Sequence, residues 1–316
     1  MHIQYDNPLI RQRADPFIYL HDGYYYFTAS VPAYDLIELR RAKTIQGLRE
    51  AAPVSIWKRH TEGEMSCLIW APEIHFIDGQ WVVYFAAGHT EEVLDHRIYV
   101  LTCDTANPLE GVFVERGRID TGNDAFALDA TAFSHDGVQY LVWGQQDAAI
   151  EGHSNIYLAK MKNPWTLGCS PVMLSIPKYS WERRGFAVNE GPAVIKRNGR
   201  VFITYSASGV DRNYCMGLLW ADLSADLLNV CSWKKSDQPV FVTSDENRQY
   251  GPGHNSFTVA EDGKTDLLVY HAREYETIEG DPLYDPNRHT RIQPFYWDAC
   301  GMPVFGVPAA NGPLIL

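Results

Sequence analysis

Short apolar runs come in pairs along this chain, and in five places the members of a pair are separated by a polar turn. Phe17-Ile18-Tyr19 precedes Asp22-Gly23 and Tyr24-Tyr25-Tyr26-Phe27 follows it; Ile74-His75-Phe76 and Trp81-Val82-Val83-Tyr84-Phe85 flank Asp78-Gly79. The arrangement recurs around Asp136-Gly137 (Thr131-Ala132-Phe133, then Tyr140-Leu141-Val142-Trp143), Asn198-Gly199 (Ala193-Val194-Ile195, then Val201-Phe202-Ile203) and Asp262-Gly263 (Phe257-Thr258-Val259, then Leu267-Leu268-Val269-Tyr270). Asp-Gly and Asn-Gly suit a turn whose two central residues both need positive φ, so each unit predicts a β-hairpin. Helical periodicity is weak: residues 35–41 and 163–167 predict at most a single helical turn each.

Successive turn glycines are 56, 58, 62 and 64 residues apart. A period of roughly 55–65 residues exceeds one hairpin and fits a four-stranded propeller blade with its loops. Five such units fill the 316 residues without a linker or low-complexity tract. The prediction is therefore an all-β, five-bladed β-propeller spanning residues 1–316 as one domain. In that architecture the first strand of each blade lines a central channel, so equivalent positions form a ring. Six residues before each turn Asp or Asn stand Pro16, Pro72, Ala130, Pro192 and Ser256. Immediately before these lie Asp15, Ala71, Asp129, Gly191 (preceded by Glu190) and Asn255 (preceded by His254), which places three carboxylates and a histidine at one mouth of the channel.

Asp before Pro is common at strand starts, so Asp15 or Asp129 alone would read as structural. Their equivalence across repeats, together with Glu190, argues for chemistry: carboxylates in one cleft are the minimal apparatus of glycoside hydrolysis. The apolar Phe186-Ala187-Val188 before Glu190 would raise its pKa, as a general acid needs, and Arg11 and Arg13 beside Asp15 would keep that carboxylate ionised as a base. Asp129 would then tune or orient the acid.

Charge and composition narrow the partners. Lys and Arg number 27 against 39 Asp and Glu, a net charge of −12, with no basic stripe to meet phosphates, which excludes nucleic acid as a partner. Residues 1–6 lack a basic segment leading into an apolar run, and no stretch reaches membrane-span length, so the expectation is a cytoplasmic protein without membrane contact. The six cysteines are widely spaced with no C-x-x-C pair; they predict buried free thiols rather than disulfides or zinc ligands.

Arg13-Ala14-Asp15-Pro16-Phe17, Trp70-Ala71-Pro72-Glu73-Ile74, Leu128-Asp129-Ala130, Asn189-Glu190-Gly191-Pro192 and Gly251-Pro252-Gly253-His254-Asn255-Ser256, in phase with the repeat, resemble the blade motifs of glycoside hydrolase family 43. Arg291-Ile292-Gln293-Pro294-Phe295 and Gly301-Met302-Pro303 resemble the closing segment of its exo-acting α-L-arabinofuranosidases. The resemblance implies inverting hydrolysis of an oligosaccharide substrate, with Asp15 as general base, Glu190 as general acid and Asp129 tuning the acid. It implies no required cofactor, and a structural calcium or similar ion in the channel at His254. It also implies Arg291 as a cation near the base or a sugar hydroxyl. Trp70, beside the ring position of the second blade, is the aromatic expected to cover the sugar, whereas Trp143 reads as core. Within the family, β-xylosidase, endo-arabinanase and galactofuranosidase are the alternatives; outside it, the rival is a propeller that binds sugars or proteins without catalysis.

Overall fold

The computed structural model describes residues 3–316 and is built from five antiparallel sheets arranged as propeller blades. The first blade comprises Ala14–His21, Tyr24–Ser30, Leu36–Ala42 and Val54–Lys58; the second comprises Cys67–Ile77, Gln80–Gly88, Arg97–Cys103 and Val114–Arg118. The third runs from Ala127–His135 through Val138–Gln145 and Asn155–Asn163 to two short outer strands, and the fourth contains Asn189–Arg197, Arg200–Ala207, Cys215–Asp222 and Lys234–Lys235. The fifth has three strands, Tyr250–Val259, Asp266–Arg273 and His289–Pro294. Residues 35–41, read from sequence as a helical turn, lie mostly in the third strand of blade one, and 163–167 fall at a strand end and a two-residue strand. Pairing within the blade overrides the weak local propensity there.

Four of the predicted turns are two-residue hairpins with both central residues at positive φ: Asp22-Gly23, Asp78-Gly79, Asp136-Gly137 and Asn198-Gly199. The fifth differs. Val259 pairs with Asp266, only Gly263 of the Asp-Gly pair has positive φ, and the Asp262 carboxylate accepts from the Lys264 and Thr265 amides. This wider loop shifts the register of the fifth blade by one residue relative to its turn, which matters for the site.

The second strand of each blade is apolar on both faces because it is packed on both faces. Trp81, Val83 and Phe85 pack against Phe17, Tyr26 and Leu39 of blade one, while Val82 and Tyr84 meet Leu141 and Trp143 of blade three. Equivalent layers join blades three and four, four and five, and five and one. Trp143 is fully buried in such a layer. All six cysteines are free, but only Cys103 and Cys215 are buried; Cys231 and Cys300 are exposed, so the expectation of uniformly buried thiols fails at loops outside the interblade layers.

The circle is closed by the N-terminal segment. Gln4–Asn7 pairs with Gly312–Ile315, and Leu9 donates its amide to the Thr290 carbonyl at 2.8 Å. The Asn7 side chain donates to the Ile292 carbonyl at 2.8 Å and accepts from the Ile292 amide at 2.9 Å, continuing the edge of blade five as a strand would.

Candidate active site

Each inner strand carries a register shift near its start, and at each shift one residue sits at positive φ: Asp15 (54°), Ala71 (44°), Asp129 (57°), Gly191 (52°) and His254 (43°). A β-bulge of this kind re-aims the side chain and frees a backbone amide from the ladder. The preceding blade takes up that amide at four of the five positions. Ala71 N–H donates to Ser30 Oγ (2.8 Å), Gly191 N–H to Asp129 Oδ2 (2.9 Å), His254 N–H to Ser206 Oγ (2.7 Å) and Asp15 N–H to His271 Nδ1 (3.1 Å). Left-handed backbone at four non-glycine residues is strained, and the interblade hydrogen bonds hold it.

The ring corrects one sequence assignment. His254, not Asn255, is equivalent to Asp15 and Asp129, because the longer turn of blade five displaces the count by one. Blade four explains why its carboxylate stands one residue earlier. A Cβ on Gly191 would lie 3.1 Å from the His254 ring on a backbone at positive φ, so a side chain at the bulge would press on His254, and the carboxylate of this blade, Glu190, stands at the neighbouring position.

The three carboxylates face one pocket of about 310 Å³, lined also by Trp70, Tyr214, His254 and Arg288. Asp15 is 8% exposed; Ser30 Oγ donates to its Oδ2 at 2.6 Å, and Arg288 Nη1 lies 3.5 Å from Oδ1. Burial alone would raise its pKa, but His254 and Arg288, with His271, outweigh burial and hold it well below the usual carboxylate range. Glu190 accepts from the Tyr214 hydroxyl at 2.8 Å, yet burial pushes its pKa up to about 7, with the negative charge of Asp15 adding to the rise. Asp129 is also raised, by burial and then by Glu190 and Asp15, while the Gly191 amide opposes the rise. That amide favours the charged form of Asp129 and so works against its burial. Tyr214 can approach only because residue 253 is glycine: a Cβ there would stand 2.5 Å from the tyrosine ring.

Arg291 is not in the pocket. It is fully buried at the closure, bonded to the Ala309 carbonyl, Asn311 and Glu274. The cation beside Asp15 is Arg288, whose Nη2 also donates to the Tyr34 hydroxyl at 2.7 Å. Arg11 and Arg13 point elsewhere, Arg13 forming a two-bond ion pair with Glu38 at 2.8 Å. Two residues separate Arg288 from Arg291; Arg288 stands just before the strand His289–Pro294 and Arg291 lies within it. Trp70 does line the pocket, one face stacked on His96 at a centroid distance of 3.8 Å. His254 Nδ1 sits between Asp15 Oδ1 (3.3 Å) and Asp129 Oδ2 (3.9 Å). Among the described residues no three His, Cys, Asp or Glu side chains are grouped to hold a metal ion.

A carbohydrate hydrolase of the propeller type is what this fold and carboxylate ring define. The chain belongs to the glycosyl hydrolases family 43, whose family model matches residues 5–303. It is 57% identical over 98% of its length to an extracellular exo-α-(1→5)-L-arabinofuranosidase of Streptomyces avermitilis, and 51% identical over 88% to a protein of the same name from Streptomyces chartreusis. It spans 65% of the length of the first of these and 85% of the second. A solved α-L-arabinofuranosidase from Lactobacillus brevis superposes with a TM-score of 0.95 at 59% identity, over 97% of this chain and 98% of that one. The expectation of a cytoplasmic protein is overturned by the relatives, two of which are extracellular by name; residues 1–6 carried no information about export.

Proposed function

We propose that this protein is an exo-acting α-L-arabinofuranosidase that removes terminal arabinofuranosyl residues from 1,5-linked arabino-oligosaccharides with inversion. The observation that carries the reading is the convergence of Asp15, Asp129 and Glu190 in one pocket with their charge states divided as the reaction requires. The pocket volume lies at the small end of the range for small-molecule sites, which suits a single terminal sugar. The names of the relatives supply the sugar and the linkage.

Asp15, held ionised, takes a proton from a water whose oxygen attacks the anomeric carbon. The glycosidic C–O bond breaks with its electron pair going to the leaving oxygen, and Glu190 gives that oxygen its proton. Asp129 holds the Gly191 amide, which fixes the backbone next to Glu190, while burial and the negative charge of Asp15 keep the acid protonated. Trp70 forms a wall against the bound sugar. A panel of 4-nitrophenyl α-L-arabinofuranoside, β-D-xylopyranoside and β-D-galactofuranoside, with 1,5-linked arabinotriose, tests the assignment. The arabinofuranosides should be cleaved fastest, and proton NMR should show the β-anomer released first. A preference for the xyloside, or early α-arabinose, would overturn it.

A further inference from the structure

The pocket has a second wall that this chemistry leaves unused. Phe186, Val93 and Leu94 line it, and they are 53%, 38% and 44% exposed. The segment carrying Phe186 is nevertheless fixed on both sides. The Ala187 carbonyl accepts from the His153 amide at 2.8 Å, the Arg184 carbonyl from the Gly209 amide at 2.8 Å, and the Arg184 amide donates to Ser208 Oγ at 2.9 Å. The His153 ring stands edge-on to Phe186, with centroids 4.9 Å apart and planes at 66°. An aromatic ring free to move would fold down onto nearby apolar surface; here a bolted backbone and a buttressing imidazole keep it open to solvent at the mouth of a pocket. Such a preorganised apolar surface lowers the ordering cost of a ligand that covers it.

We propose that Phe186, backed by His153, is the platform for the leaving group, and that the enzyme favours leaving groups with a flat apolar face, whether an aryl ring or the C–H face of the next sugar. The inference rests on the function proposed above. Glu190 must reach the leaving oxygen, so the leaving group lies on the Glu190 side of the pocket. Phe186 stands four residues ahead of Glu190 on that side, with Val188 between them also in the lining. Val93 and Leu94, from the loop joining the second and third strands of blade two, add an apolar collar at the same mouth.

Calorimetric binding to the Glu190→Gln protein tests this without turnover, using 4-methylphenyl and methyl α-L-arabinofuranosides. The aryl glycoside should bind about 10-fold more tightly. Adding Phe186→Ala should bring the two to near parity, and Phe186→Trp should restore the preference. Equal affinities with Phe186 present, or a preference that survives Phe186→Ala, would overturn the platform while leaving the arabinofuranosidase reading intact. Failure of both glycosides to bind would overturn that reading, and the platform with it.

Discussion

Asp15 and Glu190 are carboxyl groups in the same pocket, separated in behaviour by their neighbours: a guanidinium, a serine and two imidazoles around one, burial and a phenol around the other. If Glu190 is the proton donor, Glu190→Ala should cripple cleavage of arabinobiose, whose leaving alkoxide is basic, and should spare much of the activity on a dinitrophenyl arabinofuranoside. Asp15→Ala should lose both substrates by a similar factor, on the order of 10²–10⁴ or more. Steady-state kinetics on the two substrates separates the roles, and equal losses for Glu190→Ala would refute them. The pH profile follows from the same groups. Glu190 keeps its proton below about pH 7 and loses it above, so kcat/KM on arabinobiose should fall about tenfold per unit above that pH. Asp15 stays ionised well into acid and should impose no acid limb near pH 5. A carboxyl whose folded pKa is raised from 4.5 to about 7 contributes stability that is present below pH 4.5 and lost as pH rises through 7. Glu190→Gln removes that loss, so its thermal midpoint should match the parent near pH 4.5 and exceed it by roughly 2–6 °C at pH 8. Of the residues that set these values, Asp15, Asp129 and Glu190 were legible because they recur in phase. Arg288 and Tyr214 were not, because neither repeats and each arrives from a loop end folded back over the ring.

At the scale of the element, the active unit is a bulged inner strand rather than a side chain. Three of the five positive-φ positions, Asp15, Asp129 and His254, present side chains to the pocket, and four of the five depend on the preceding blade for the freed amide. Gly191→Ala is the sharpest probe. The new Cβ would meet the His254 ring at 3.1 Å on a backbone already at φ 52°, displacing both His254 and the adjoining Glu190. We expect kcat/KM to fall about 100-fold, since misplacement on the order of 1 Å is enough, while urea unfolding shows a loss of only about 1–2 kcal/mol. Unchanged kinetics with the same stability loss would mean that the bulge does not position the acid. The hairpins themselves followed from Asp-Gly and Asn-Gly turns, but the bulges did not, because nothing local marks a residue such as Ala71 for positive φ. The neighbouring blade imposes it.

At the scale of the whole molecule, five interblade layers support one another only if the circle is closed, and closure depends on a thin contact. Asn7 replaces a strand residue at the edge of blade five by offering its side-chain amide to both polar groups of Ile292. Asn7→Ala leaves a buried N–H and a buried C=O without partners, for a cost of about 2–4 kcal/mol. Urea titration should show that loss, with kcat on a nitrophenyl arabinofuranoside unchanged at low denaturant because the pocket lies on the inner strands. A loss under 0.5 kcal/mol would show that the pairing of Gln4–Asn7 with Gly312–Ile315 closes the ring without Asn7.

What the sequence determined by itself is what repeats: hairpins with a common turn chemistry, strands apolar on both faces, a period near 60 residues, and carboxylates at, or one residue before, the same position in three repeats. These are local signals multiplied by five, and multiplication lifts them above chance. The tertiary structure alone decided what occurs once. It set the one-residue shift that brings His254 into the ring, chose Arg288 over Arg291 as the cation beside Asp15, turned the Asn7 side chain into a strand edge, and held Phe186 open at the pocket mouth. Each of these depends on the distance between segments far apart in the chain, and that distance is fixed only when the last blade meets the first.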